Sequence, residues 1–412
     1  MFKHHFACLL KAISSFVLSV MVLAIFSGCA QSSALNDQAP IKIGYSASLT
    51  GSFSEDGKAL QQGFELWQDI VNKHAGLLGR RVQLIGLDDQ SSTDKVKANY
   101  QLLMNKEHVD LLLGPYSSLL TIPAAVVANK AHKVLFAPTG NAPGMFAKHF
   151  NNVFVVLPPS IEYLHAFSYF ILSLPQSIRP RTIAYVSVDS PFAAPQVEEA
   201  KKILGNNIKS IYAPAPYSAN SDITPVAQQI ADSQADVVVL GTSGLKDSIS
   251  FIKAFKKLHF NPKALIETSG PDEGALFLKV VGTSDAEGVF APNAGWYAGD
   301  ASYQSDQFTQ AYLAKYGGDI QDISSTTAKA FGATQILEQA VSQANTLDNA
   351  KLTQFLHANI FNSIQGSVKF NADGANTIGV PNLFQWRQGK FLLVYPFNNS
   401  QVNPQYPKNS PA

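Results

Sequence analysis

The chain has 412 residues, of which 46% are apolar, so it can bury a sizeable core and is too long for one compact domain. We therefore expect two lobes. The 31 Lys and Arg residues nearly balance the 30 Asp and Glu residues, which gives a net charge of +1 without any long basic block. This charge pattern argues against nucleic-acid binding and favours a small partner.

The N-terminal segment has the features of an export signal. Lys3 and Lys11 precede an apolar run at 12–26, which fits the hydrophobic region of a signal peptide and is short for a bilayer span. The next residues, Phe26-Ser27-Gly28-Cys29, resemble the lipobox of bacterial lipoproteins, in which the cysteine is lipidated and becomes the first residue. The alternative is an ordinary signal peptide with an incidental cysteine.

The lipobox resemblance implies a cleaved signal peptide at 1–28 and a lipid on Cys29. That lipid would be the only membrane contact, on the periplasmic side of a bacterial cell envelope. Residues 29–40 are small and polar, and we expect them to form a flexible tether. The only other cysteine, Cys8, lies in the segment to be removed, so the mature chain has no pair for a disulfide and no cluster of thiolates for a metal.

Strands and helices alternate along the mature chain. Short apolar runs predict buried strands, and apolar residues at helical spacing predict the helices between them. The first series has strands at 41–48, 81–87, 109–113, 133–137 and 153–157, with helices ending near residue 75 and spanning 92–106 and 119–130. A second series begins after Pro158-Pro159 and runs to a strand at 288–291. This alternation predicts an α/β fold with parallel sheets covered by helices on both faces.

The last part of the chain is predicted to be helical and then extended. Helices are expected at 303–316 and 324–343, and closing strands at 366–370 and 382–395. Residues 396–412 are rich in Asn, Pro and Gln, and this composition predicts a disordered tail.

One strand end stands out as a candidate binding corner. The apolar strand at 109–113 stops at Gly114-Pro115, and Ser117 and Ser118 then precede the helix at 119–130. The first N–H groups of a helix have no internal partner and carry a partial positive charge, so an anion would be held there. The alternative is that these serines simply cap the helix.

Several short motifs resemble those of the type I periplasmic binding proteins of ABC importers, in particular the leucine/isoleucine/valine-binding branch. The match extends over essentially the whole mature chain. The matching motifs are Ile43-Gly44, Thr50-Gly51, Asp56-Gly57, Leu78-Gly79-Arg80-Arg81, Asp88-Asp89, Leu113-Gly114-Pro115, Ala137-Pro138-Thr139, Asp285-Ala286-Glu287-Gly288 and Val368-Lys369-Phe370-Asn371-Ala372-Asp373-Gly374.

The resemblance implies two doubly wound α/β lobes joined by three hinge crossovers. The crossovers are expected near 157–158, 291–292 and 361–366. Lobe one would then be 41–157 plus 292–362, and lobe two would be 158–291 plus 363–395. The family implies a monomer that closes on a small ligand, usually an amino acid, and delivers it to ABC permease subunits without a cofactor.

The resemblance also assigns ligand-binding residues one position at a time. Ser118 falls on the hydroxyl that binds the ligand carboxylate, with Ser117 beside it. Thr139, Gly140 and Asn141 fall on the loop that takes the carboxylate and the ammonium.

Four further positions bear on ligand specificity because they depart from the family pattern. Phe192 replaces a common Tyr, and Thr242 lies in the loop 241–244, where branched-chain binders present aromatic residues. Asp56 stands where those binders have an aromatic ring; it either pairs with a cationic ligand group or is a solvated loop residue. The acidic residue near the ligand ammonium corresponds to Asp272 or Glu273.

An enzyme is disfavoured by what the motifs lack. Asp88-Asp89 is a carboxylate pair, but its place between a strand and a helix favours turn and capping roles. No Gly-x-Gly and no Gly-x-Ser-x-Gly occurs, and no His pair of the mature chain has metal-ligand spacing. Two non-transport functions stay open for a lipoprotein of this fold: a protein-interaction module, such as an activator of a peptidoglycan synthase, and a ligand sensor.

Overall fold

The computed structural model describes residues 38–219 and 221–408. The signal segment, the lipobox with Cys29 and most of the tether lie outside these residues. Within them, no helix combines the length and the apolar character needed to cross a membrane.

The first sheet forms the centre of lobe one. Its strands run parallel in the order β2-β1-β3-β4-β5, and they include Leu111, Leu112 and Leu113, which are buried on both faces of the sheet. A continuous apolar run is what a parallel strand covered on both sides requires. The strands are β1 (Ile41–Ala47), β2 (Val82–Asp88), β3 (Leu111–Leu113), β4 (Leu135–Ala137) and β5 (Val153–Val155).

The second sheet forms the centre of lobe two. Its order is β14-β13-β10-β9-β8-β6-β7. Strand β13 runs antiparallel to both of its neighbours, β14 and β10, and all the other neighbouring pairs are parallel. The strands are β6 (Thr182–Ser187), β7 (Lys209–Tyr212), β8 (Val237–Gly241), β9 (Ala264–Glu267), β10 (Val289–Asn293), β13 (Asn382–Arg387) and β14 (Lys390–Tyr395). Two sheets, each covered by helices, agree with the predicted α/β fold.

The helices cover both faces of each sheet, and their apolar sides form separate cores for the two lobes. They are α1 (Ser54–Lys73), α2 (Thr93–Asn105), α3 (Ser118–Lys130), α4 (Pro143–Phe146), α5 (His165–Ser173), α6 (Ala193–Leu204), α7 (Thr224–Ser233), α8 (Leu245–Lys257), α9 (Ala275–Val281), α10 (Thr283–Ala286), α11 (Ser305–Tyr316), α12 (Ser325–Ala344) and α13 (Asn349–Ala358). Helices α11 to α13 follow β10 yet pack on the first sheet, so lobe one is built from two separate stretches of chain.

The third crossover lies further along the chain than the sequence predicts. A hairpin of β11 (Ile360–Ser363) and β12 (Gly366–Lys369) packs into lobe one, where Ile364, Val368 and Phe370 join the core. The chain enters the second sheet only at β13. The expected crossover at 361–366 is therefore wrong, because the apolar face of this hairpin is buried against lobe one.

Residues 396–408 are also not a disordered tail. The Gln401 N–H donates to the Leu393 carbonyl at 2.8 Å, and Gln405 exchanges two hydrogen bonds with the Gln385 side chain at 2.8 and 3.0 Å. The Tyr406 ring packs against Phe170. Specific amide and ring contacts with lobe two order this segment, and composition does not reveal such contacts.

Asp88 and Asp89 have the turn roles that the sequence favours. Asp88 accepts from the Leu49 N–H at 3.0 Å and the Thr50 hydroxyl at 2.8 Å, while Asp89 accepts from the Ser46 and Ser48 hydroxyls. The two carboxylates thus hold the loop that follows β1.

Gly374 provides a test of how the segment that follows the hairpin packs against β5 of lobe one. It has φ of +72°, and a Cβ at this position would lie 1.7 Å from the Val153 carbonyl oxygen of β5. We expect Gly374→Ala to lower the unfolding temperature by much more than Gly366→Ala, measured by thermal unfolding. Gly366 has φ of +89° and open space around it, so its substitution carries only the left-handed backbone penalty of about 1–2 kcal/mol. Equal losses for the two variants would contradict the close packing at Gly374.

Candidate functional site

The binding corner lies where β3 ends and α3 begins. Ser117 is the N-cap residue, with φ of 71°, and its hydroxyl oxygen accepts from the Leu119 N–H at 3.2 Å. Ser118 is the first residue of the helix and is almost fully buried. The two serines thus divide the roles, because Ser117 caps the helix and Ser118 points its hydroxyl toward the neighbouring loop.

That neighbouring loop follows β4 and contacts the same corner. Thr139 donates its hydroxyl hydrogen to the Pro115 carbonyl at 3.1 Å, and the Ala142 N–H donates to Ser118 Oγ at 3.3 Å. Gly140 has φ of +94°, and a Cβ there would overlap Thr121. Ser118 Oγ therefore already accepts one hydrogen bond, and its own hydrogen is available for a ligand oxygen.

Asn141 connects this loop to the first crossover and to lobe two. Its Nδ2 donates to the Pro158 carbonyl at 2.6 Å and to the Tyr163 hydroxyl at 2.9 Å. The Tyr163 ring in turn meets Phe192 edge-on, with 6.0 Å between ring centroids. Asn141 thereby links the candidate binding corner of lobe one to an aromatic pair of lobe two.

A cavity of about 40 Å³ lies between these groups, with walls from both lobes. Its lining combines hydroxyls, aromatic rings and one cation. The lining residues are Tyr116, Ser117, Ser118, Thr139, Gly140, Asn141, Leu157, Tyr163, Phe192, Ser243, Ser269 and Lys329.

Next to the cavity, two carboxylates of lobe two contact the N-terminus of α12 in lobe one. We call Asp272 and Glu273 the interlobe carboxylates. Glu273 accepts from the Ser324 hydroxyl, from the Thr326 hydroxyl at 2.7 Å and from the Thr326 N–H at 3.3 Å. Acidic groups at a helix N-terminus are favourable, because they complement the unpaired N–H groups and the helix dipole.

Asp272 forms a buried ion pair with Lys329, one helical turn into α12. Lys329 Nζ lies 2.8 Å from Asp272 Oδ2 and 2.8 Å from Ser325 Oγ, and the lysine side chain is 12% exposed. Burial alone would raise the pKa of Asp272, but the charge of Lys329 and the surrounding hydrogen bonds hold it below its usual value. Asp272 and Glu273 hold the pKa of Lys329 above its usual value despite burial. Both groups are therefore charged at neutral pH.

Asp56 is a buried carboxyl at the start of α1. It is 2% exposed, and its Oδ1 atom has no hydrogen-bond partner among the described residues. Burial raises the pKa of Asp56 well above 3.8, and the charge of Glu273 adds to this rise, while the Tyr116 hydroxyl lowers it in part. A solvated loop position is thus wrong for Asp56.

The structure places the predicted site residues in two groups. Ser117, Ser118, Thr139, Gly140, Asn141 and Phe192 line the cavity together. Thr242, Asp272 and Asp56 do not. Thr242 is fully buried and exchanges hydrogen bonds with Thr268 and Ser269, so its neighbour Ser243 lines the cavity instead.

Sequence reasoning gave no ligand role to five lining residues: Tyr116, Leu157, Tyr163, Ser269 and Lys329. Lys329 left a signal that could have been read, because it is the one charged residue in the run Thr326-Thr327-Ala328-Lys329-Ala330-Phe331 of an otherwise buried helix. A lysine in such a run requires a buried partner. The sequence does not say which carboxylate provides it.

The unusual burial of Asp56 gives a testable pH dependence. The folded state holds the Asp56 proton more tightly than the unfolded state, so its contribution is intact below about pH 4 and is lost as the pH rises through the raised pKa. We expect Asp56→Asn to be more stable than the parent chain at pH 8, with a difference that shrinks toward pH 4. Thermal unfolding across this pH range measures it.

Asp232→Asn on α7 is the matched control, because Asp232 is exposed. This control is expected to show no such trend. If Asp56→Asn is less stable than the parent chain at every pH, the inference that the buried Asp56 carboxyl lowers stability at high pH is disproved.

Comparison with known proteins agrees with this architecture. A family model described as periplasmic binding protein matches residues 40–390. The Leu/Ile/Val-binding protein homolog 7 of Brucella melitensis is 24% identical over 92% of this chain and 96% of its own length. The resemblance read from the sequence motifs is thereby confirmed.

Solved structures share the fold at low identity. The branched-chain amino acid binding protein LivJ of Streptococcus pneumoniae, solved with isoleucine, superposes with a TM-score of 0.74 at 19% identity, covering 86% of this chain and 98% of LivJ. A solute-binding protein of an ABC transporter from R. palustris, solved with benzoate, gives a TM-score of 0.74 at 17% identity, covering 90% and 98%. The chain belongs to the periplasmic binding protein family and has its type I fold.

Proposed function

We propose that this protein is the substrate-binding component of an ABC importer and captures an amino acid or a similar small polar ligand between its lobes. The observation that carries this proposal is the cavity at Ser118. A hydroxyl at a helix N-terminus in lobe one faces Phe192 and Tyr163 of lobe two across it. Such a site grips a carboxylate through Ser118 and the first N–H groups of α3.

Both lobes contribute walls, so ligand contacts are complete only when the lobes are closed. A ligand that binds the closed form better than the open form shifts the equilibrium toward closure. The ligands of related structures, isoleucine in one and benzoate in another, support a small carboxylate-bearing molecule. The closed form is then the one presented to ABC permease subunits.

A lipid on Cys29 would keep this monomer at the membrane where the permease lies. The tether predicted from the sequence at 29–40 would then join this lipid to the lobes. This part of the proposal depends on the lipobox alone, since Cys29 lies outside the described residues.

A second candidate has one observation in its favour. The lobes are bonded to each other directly through the interlobe carboxylates, and the cavity of about 40 Å³ is small for an amino acid. A lipoprotein closed by its own contacts suits a protein-interaction module, such as an activator of a peptidoglycan synthase. This candidate expects no thermal shift with any small molecule.

Ser118→Ala tests whether the candidate binding corner holds a ligand carboxylate. The purified protein is expected to gain thermal stability with a ligand from an amino-acid and organic-acid panel. Because a hydrogen bond to a charged group contributes about 1.5–3 kcal/mol, the variant is expected to bind roughly 10–100-fold more weakly by calorimetry. Ser342→Ala, at an exposed position of α12, is the matched control and is expected to bind normally. Unchanged affinity in Ser118→Ala would remove this corner from the site.

The lipid anchor is tested by Cys29→Ser. The parent chain is expected in the membrane fraction and the variant in the soluble fraction, because the substitution removes the thiol that would be acylated. Fractionation followed by immunoblotting measures this. A parent chain that is already soluble after signal cleavage would support the ordinary signal peptide instead.

A further inference from the structure

We propose that the cleft selects small carboxylates that lack an α-ammonium group, because Lys329 occupies the cation position beside Asp272. This inference rests on the proposed ligand-binding function and specifies the ligand class of the same cavity. An α-ammonium needs a charged acceptor that is free and lines the cavity, and none of the three nearby carboxyls, Asp56, Asp272 and Glu273, lines it.

Asp272 has its donors within the protein. Besides Lys329 Nζ, it accepts from the Ser325 hydroxyl at 2.7 Å and from the Gly270 N–H at 3.0 Å. Glu273 is likewise occupied by the Ser324 hydroxyl and by the hydroxyl and N–H of Thr326. A ligand ammonium would have to displace Lys329, which would then be left buried without its partner.

Asp56 is the remaining carboxyl, and it is a poor partner for an ammonium. It does not line the cavity, whereas Tyr116, whose hydroxyl interacts with it, does. Burial raises its pKa, which favours the neutral acid over the carboxylate that an ammonium requires.

The cavity lining favours an anion. Lys329 is the only charged side chain among the described residues that line it. The N-terminus of α3 adds a partial positive charge at Ser118, and no carboxylate on the lining offsets these two. A monocarboxylate complements this field, whereas a zwitterion would place its ammonium among like charges.

The apolar walls of the cavity favour a ligand whose remaining part, beyond the carboxylate, is apolar. Tyr116, Tyr163, Phe192 and Leu157 contribute rings and an aliphatic surface, and the Tyr163 hydroxyl accepts a hydrogen bond from Asn141. We therefore expect an aromatic or branched aliphatic monocarboxylate, with the carboxylate at Ser118 and Lys329 and the apolar part against these walls.

The test compares ligand pairs that differ only in the α-ammonium. Full-length protein in non-ionic detergent is titrated by calorimetry with 3-phenylpropanoate against L-phenylalanine, and with 4-methylpentanoate against L-leucine. We expect at least one carboxylate to bind tenfold or more tightly than its amino-acid partner. If an amino acid binds more tightly than its partner, the inference is overturned and the binding function stands. If neither pair binds, the inference is overturned, and the wider panel of amino acids and organic acids decides the binding function.

A variant tests the role of Lys329 directly. In Lys329→Met, Asp272 loses its internal cation and becomes available to an α-ammonium, so the preference between the paired ligands is expected to move at least tenfold toward the amino acid. Lys256→Met is the matched control, because it breaks an exposed ion pair with Asp285 outside the cleft and is expected to leave the preference unchanged. An unchanged preference in Lys329→Met would refute the assignment. If that variant does not fold, the comparison of paired ligands on the parent chain decides alone.

Discussion

The contact on which the arrangement of the two lobes depends is the set of bonds between the interlobe carboxylates and the N-terminus of α12. Asp272 and Glu273 come from lobe two, and their partners Ser324, Ser325, Thr326 and Lys329 come from lobe one. Charged groups removed from water are tolerated only when hydrogen bonds and opposite charges replace the solvent. Here the replacement is complete only when the lobes meet, so these groups favour the closed arrangement.

The same contact would connect closure to the proposed ligand selection. The ion pair of Asp272 and Lys329 lies beside the cavity, and its lysine is part of the lining. In the proposed function, the charge that joins the lobes would also set the electrostatic potential that a ligand meets. The interlobe carboxylates stabilise the contact between the lobes, whereas Asp56 has the opposite effect on stability. A buried carboxyl without a full set of partners reduces stability, as is common at binding sites.

Local signals predicted much of the fold. Apolar runs located the strands, and Gly114-Pro115 with two serines located the corner where Ser118 lies, because both depend on residues close in sequence. Longer-range features were predicted less well. The expected crossover at 361–366 falls inside the hairpin of β11 and β12 and puts β12 in the wrong lobe, and composition predicts a disordered tail at 396–412, whereas residues 396–408 are ordered. These segments are held by partners far along the chain, such as Phe154, Phe170 and Gln385.

By itself, the sequence determined the α/β alternation, the export and lipobox motifs, and the helix N-terminus that fits an anion. These depend on periodicity and on backbone groups within a few residues. Only the tertiary structure decided which carboxylates already have a partner within the protein. Asp272 was expected near a ligand ammonium, but it pairs with a lysine 57 residues away on the other lobe, and Thr242 faces its own lobe rather than the cavity. Pairing across a cleft depends on how two separately folded lobes meet, which no local pattern encodes.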